Sequence, residues 1–279
     1  MKKFIAAFDS LQFPESTLAY GIDLARGAGA HLVGVFLEDP NLHSYGVAEM
    51  TNYSGKSFDR HVQELNRIDH QKRQEGVDRF RAACGAAGVT CSVHRDRHAP
   101  LRELLHESIY ADLLLTANDV TPGTPATAAP TPFVRHLLQE AQCPIMPLPP
   151  HYATINRVTL LYDGAPASVQ ALRAFSYLLP HLKDLDTEVV TVKGSDDDGH
   201  LPDGRLIKEF VKRHFPQARY TVLKGTADEE LVAHGRRHPG PGVIVLGAYR
   251  RDALSRMFRP STADVLMKHL QAPLFIAHY

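Results

Sequence analysis

The sequence predicts an α/β protein built from two doubly wound, parallel-sheet domains in tandem. Three observations carry that expectation: the two halves open alike, they close alike, and between those ends each alternates strand with helix patterns. The opening of the first half is Phe4-Ile5-Ala6-Ala7-Phe8-Asp9-Ser10, and that of the second is Val158-Thr159-Leu160-Leu161-Tyr162-Asp163-Gly164. Each is an apolar strand with Asp at its C-terminal end. Each leads into a helical pattern with a Ser/Thr start signal, Ser16-Thr17-Leu18-Ala19 or Ser168-Val169-Gln170-Ala171-Leu172. The closings are Cys143-Pro144-Ile145-Met146-Pro147-Leu148 and Ala272-Pro273-Leu274-Phe275-Ile276-Ala277, in which proline stops a helix and a short apolar strand follows.

The intervening strands are expected at His31–Leu37, Val89–His94 and Ala111–Ala117, then at Glu188–Lys193, Ala218–Leu223 and Gly242–Gly247. Apolar, β-branched strands alternating with helices imply a parallel sheet covered on both faces. At 279 residues the chain has room for two domains of roughly 100–200 residues. The proline-bearing stretch Pro149-Pro150-His151-Tyr152-Ala153-Thr154 reads as the linker, giving domains over 1–150 and 155–279. The first is longer by about 25 residues, mostly between Glu38 and Asp59, followed by a polar helix over Phe58–Ala87. A solvated loop and a lengthened helix account for the excess; a lid or partner surface is the functional alternative.

Composition narrows the function. Basic and acidic residues balance at 31 each, so no net field favours nucleic acid or an anionic membrane as partner. Three widely spaced cysteines (Cys84, Cys91, Cys143) suit a reducing cytoplasm better than a disulfide framework. Asp9 interrupts the first apolar run too early for a signal peptide, and no run approaches the roughly 20 apolar residues of a membrane helix, so the expected location is cytoplasmic. Nucleophile elbow, Walker and EF-hand patterns are absent, and Asp196-Asp197-Asp198-Gly199 reads as a loop. The histidines His94, His98 and His106 are spaced for a metal only on a helix, which the strand ending at His94 and the following Pro100 oppose. No enzyme signature emerges.

The second half resembles the universal stress protein family in order and spacing: Asp163, Gly164 and Ser168 after the first strand, Val192 ending the second, and Val243-Ile244-Val245-Leu246-Gly247 as the fourth. Gly247-Ala248-Tyr249-Arg250, nine residues and Pro260-Ser261-Thr262 follow. The first half resembles the family at Asp9, Val35 and Ala111-Asp112-Leu113-Leu114-Leu115-Thr116, but Asp119 to Pro132 carries a Pro/Thr/Ala segment where the glycine motif would stand. The resemblance covers nearly the whole chain. It implies flavodoxin-like, Rossmann-like domains of the adenine nucleotide alpha hydrolase type, pairing through their last strands as an intramolecular pseudo-dimer. A homodimer of the whole chain and unidentified protein partners are compatible with it.

The resemblance also implies a stress-response role and a site for ATP with Mg, or another adenine nucleotide. In the family, the residue at Asp163 contacts adenosine and the one at Val192 lines the base pocket. ATP-binding members carry Gly, two residues, Gly, nine residues, Gly and then Ser or Thr. Here the spacing is kept, but Arg250 and Pro260 replace two glycines. Phosphates bind where backbone N–H groups converge at a helix N-terminus and no Cβ intervenes. Gly247 fits that cradle; Ser261 and Thr262 can cap the next helix or donate to phosphate. Pro260 removes a donor, whereas Arg250, with Arg251, Arg256 and Arg259, can bind an anion through side-chain charge. The second half is therefore the expected nucleotide site; the alternative is an interaction scaffold that binds protein partners and no nucleotide.

Overall fold

The computed structural model describes residues 1–38, 55–96, 99–122, 128–195, 199–248 and 261–278. Among the described residues ten strands form one sheet: β1 (Lys3–Asp9), β2 (His31–Leu37), β3 (Cys91–Asp96), β4 (Leu113–Ala117), β5 (Ile145–Leu148), β6 (Arg157–Leu161), β7 (Asp186–Lys193), β8 (Arg219–Lys224), β9 (Gly242–Ala248) and β10 (Leu274–His278). The described helices are α1 (Glu15–Ala28), α2 (Gly55–Ala86), α3 (Pro100–Ser108), α4 (Pro132–Glu140), α5 (Pro166–Leu178), α6 (Gly204–His214), α7 (Ala227–Arg237) and α8 (Thr262–His269), with a 3-10 turn at Pro180–Leu182. The sheet order is β3-β2-β1-β4-β5-β10-β9-β6-β7-β8. Each half is thus an all-parallel, doubly wound set of five, and the two sets meet at β5 and β10, the last strand of each.

That junction is antiparallel and short, with Ile276 opposite Ile145. The sequence explains the shortness. Pro144 and Leu148 turn their carbonyls to β4, accepting from Leu114 and Asn118, so by the two-residue period Pro147 faces β10 and has no N–H to donate there. Side chains strengthen the join on both faces. Lys2 Nζ donates to the Leu178 carbonyl at 2.8 Å, and the Ala153 N–H donates to the Tyr20 hydroxyl at 3.2 Å. On the other face Arg135 of α4 pairs with Asp264 of α8 at 3.5 Å.

The strands read as continuous apolar runs because both faces are covered. On β1, Phe4, Ala6 and Phe8 join a core under α1, α2, α5 and α6 that runs through both halves. Ile5 and Ala7 point the other way, into a smaller cluster under α3 and α4. The matching face of the second half is filled by Ile244, Leu246, Leu266 and Ile276 under α7 and α8, with Val134 of α4 reaching across. Third strands were expected to start at Val89 and Ala218, and they start one or two residues later. In the first case Gly88 (φ 67°) caps α2, with Val89 N–H bonded to the Cys84 carbonyl at 3.0 Å, so the chain is still turning at Val89. The segment expected as an insertion and the Asp196–Asp198 run fall largely outside the described residues.

Candidate functional site

In doubly wound sheets ligands bind beyond the C-terminal ends of the strands, where the strand order reverses. In the second half that point lies between β6 and β9, which are neighbours. The first-strand aspartate stands there: Asp163 is exposed, and its Oδ1 accepts the Ala165 N–H at 3.0 Å, an Asx turn that leads into α5. Gly164 is required twice over. Its φ is 86°, and a Cβ would lie 2.8 Å from Pro202 Cβ. Val192, near the end of β7, is half-buried.

Gly247, next to last in β9, meets a different partner from the one the glycine cradle implies. A Cβ there would lie 2.4 Å from the Ala167 carbonyl carbon and 2.6 Å from Ser168 N, so the close approach that demands glycine is made by the backbone of α5. Ser261 is the N-cap of α8: its hydroxyl oxygen accepts from Asp264 N–H at 3.2 Å while the Asp264 carboxylate accepts from Ser261 N–H at 3.3 Å. Among the described residues no acceptor takes the Ser261 hydroxyl proton. The Thr262 hydroxyl donates to Asp228 Oδ1 at 2.9 Å. Arg250 and Pro260, with the other arginines of that segment, lie outside the described residues.

Sequence reasoning missed a cleft of about 350 Å³ on the α5–α6 side of the same edge. Its walls include Tyr162, Gly164, Val169, Arg173, Asp203 and Phe210. Positions 166, 169, 170 and 173 of α5 face 203, 206, 207 and 210 at the start of α6, both at helical spacing. That double spacing was the available signal. Tyr162 donates its hydroxyl to the Pro202 carbonyl at 3.1 Å. Burial, then the Asp203 and Asp163 carboxylates, push its ionisation up, so it stays a neutral donor. The Arg173 guanidinium donates to Gln170 at 3.1 Å and lies 5.7 Å from the Phe210 ring centroid. Asp203 holds φ 45° at the lip.

The first half fills the corresponding place. Asp9 is buried, its Oδ1 accepting from Leu11 and Gln12 N–H groups at 2.8 and 3.1 Å. Behind it Phe13 stacks on Phe8, centroids 5.0 Å apart, beside Phe36 and Phe80, and the Arg79 guanidinium caps Phe13 at 5.8 Å. Val35 is buried in the cluster under α3 and α4, facing away from this aromatic group.

The histidines considered for a metal have separate partners. His94 Nδ1 meets Glu107 Oε1, while Lys3 Nζ holds Glu107 Oε2 at 3.1 Å. Burial pushes the Glu107 carboxyl up, but the hydrogen bonds from His94 and Lys3 outweigh it and hold it below the usual range. His106 packs on Tyr110, and His98 is outside the described residues. Among the described residues no three potential ligands cluster, and no helix is long and apolar enough to cross a membrane.

No protein-family model matches the chain, and no curated protein matches it in sequence. Solved structures do match. A universal stress protein from Archaeoglobus fulgidus superposes with TM-score 0.69 at 15% identity, over 99% of this chain and 98% of that one. The chain has the universal stress protein fold. A Pseudomonas aeruginosa chain assigned to the same group agrees at TM-score 0.58 and 15% identity, over 100% of this chain and 93% of that one. The cytoplasmic domain of a prokaryotic cation chloride cotransporter also matches, at TM-score 0.52 and 12% identity, over 99% and 94%. At such identities the universal-stress fold is what is shared, and function must be argued from the site.

Proposed function

We propose that this chain is a general stress-response protein that binds an adenine nucleotide in its second half, and that it acts by binding rather than catalysis. The observation that carries the reading is the open cleft beside Tyr162 and Gly164, at the edge where the first half is packed with phenylalanines. Aromatic and aliphatic walls with a few convergent polar groups suit a purine. Phosphates would then lie toward the strand ends. There the Ser261 hydroxyl stands at the N-terminus of α8, and the sequence supplies Arg250, Arg251, Arg256 and Arg259 between β9 and α8. Mg-ATP is the form to test first.

The scaffold reading draws support from two groups already committed within the protein: Thr262 donates to Asp228, and the Cα face of Gly247 is taken by α5. Mass spectrometry of small molecules released from denatured protein, followed by titration with Mg-ATP, separates the two. Nucleotide binding predicts a saturable heat and about tenfold weaker affinity for Arg173→Ala or Arg250→Ala, which is about 1.4 kcal/mol. No released nucleotide and no heat at millimolar ATP leave the scaffold reading standing.

A further inference from the structure

Two of the three cysteines meet on the far side of the first half from the nucleotide cleft. Cys84 lies in the last turns of α2 and is fully buried. Gly88, at φ 67°, reverses the chain with paired bonds, Val89 N–H to the Cys84 carbonyl at 3.0 Å and Gly88 N–H to the Gly85 carbonyl at 3.2 Å. The strand that leaves this cap alternates faces. Val89, Cys91 and Val93 all turn to the core cluster that contains Cys84. The fold thus sets the Cys91 thiol on the same core face as the Cys84 thiol, beside it across the cap at Gly88. Both are free, Cys91 is half-exposed, and it opens β3, an outer strand of the sheet. Cys143 sits in the separate cluster on the opposite face and has no part in this pair.

We propose that Cys84 and Cys91 are a peroxide-responsive thiol pair that closes reversibly to a disulfide between the end of α2 and the edge strand β3. Burial, then the Cys91 thiol, push the Cys84 thiol up to about 12, so Cys84 stays protonated and the more accessible Cys91 reacts first. The Cys91 thiolate attacks one oxygen of hydrogen peroxide. The O–O bond breaks, an S–O bond forms, and the departing hydroxide takes up the proton that Cys91 released, giving water and a sulfenic acid. Cys84 sulfur then attacks the Cys91 sulfur. The S–S bond forms, the S–O bond breaks, and the leaving hydroxide departs as water with the Cys84 proton. Two electrons pass from the thiols to peroxide. A dithiol reductant reverses the step by exchange.

The experiment uses the full chain. Reduced protein is exposed to hydrogen peroxide, denatured, alkylated and cut with trypsin. One peptide, residues 82–95, carries both cysteines, and Cys143 falls in another. The proposal expects the 82–95 peptide to lose both alkyl groups and to weigh about 2 Da less than its dithiol form. It expects dithiothreitol to restore both sites, with Cys143 alkylated throughout. In Cys84→Ala, checked for fold by circular dichroism, Cys91 should stop at a sulfenic acid that dimedone traps. The proposal is overturned if wild-type Cys91 runs on to sulfinic or sulfonic acid while Cys84 remains alkylatable. It is equally overturned if both stay alkylatable at a dose that oxidises free glutathione.

Discussion

The two halves share a fold but differ at the turn after their first strand. In the first half, four residues separate Asp9 from the N-cap Pro14, and that longer turn folds inward: Asp9 is buried and Phe13 stacks over Phe8. In the second, only Gly164 separates Asp163 from the N-cap Ala165, so the turn has nothing to fold back and the space beside Tyr162 stays open. The short turn also brings α5 down onto the end of β9. Phe4 pairs with Leu113 and Val158 with Val243, so Ala117 and Gly247 occupy the same position. The first half carries a Cβ there; the second has no room for one. Turn length thus decides both whether a site is open and which residue the neighbouring strand must carry.

Phe8→Ala is the strongest way to break this comparison. Removing a fully buried ring from the stack should cost about 3–5 kcal/mol, read as a lower urea midpoint. A loss under about 1 kcal/mol would mean the aromatic group does not plug the first half. Gly247→Ala comes next. A Cβ 2.4 Å from α5 backbone should cost about 1–3 kcal/mol, whereas Ala117→Gly should cost under about 1 kcal/mol. Equal effects at the two positions would remove the turn-length argument. Tyr162→Phe strips the hydroxyl that the Pro202 carbonyl accepts, and should lower stability by about 1 kcal/mol in thermal or urea unfolding. It should also loosen nucleotide binding.

The smallest effect lies at the junction between the halves. The His181 ring packs against Gly27, where a Cβ would lie 2.5 Å from it. Burial pushes its ionisation below the ordinary value of 6.5; Asp23 opposes and Lys2 adds to the shift. The unfolded chain therefore gains this proton at a higher pH than the folded one. Stability should fall as pH drops below about 6.5 and level off below the folded value. His181→Gln should flatten that slope in urea titrations; an unchanged slope would assign it to other groups.

Much of this was legible in the sequence, for physical reasons that differ by element. Strands such as Phe4–Phe8 and Val243–Leu246 are apolar throughout because both faces are covered, so they stand out without alternation. The closing strands were readable from their prolines, and they meet in the structure at Ile145 and Ile276. Ser261 and Asp264 carry the spacing of a capping box, which the structure makes. The cleft was only half readable, because helical spacing marks each face but not that faces of α5 and α6 some 40 positions apart are held side by side. Gly247 announced a close approach but not its partner, since sequence names the missing Cβ and not the backbone that takes its place.

The central claim is that the second half holds the site and the first is plugged. Calorimetric titration of the full chain with Mg-ATP tests it through stoichiometry. The account predicts one nucleotide per chain, lost when Val169→Phe fills the cleft and unchanged by Phe13→Ala. Two nucleotides per chain, or one that survives Val169→Phe, would contradict it.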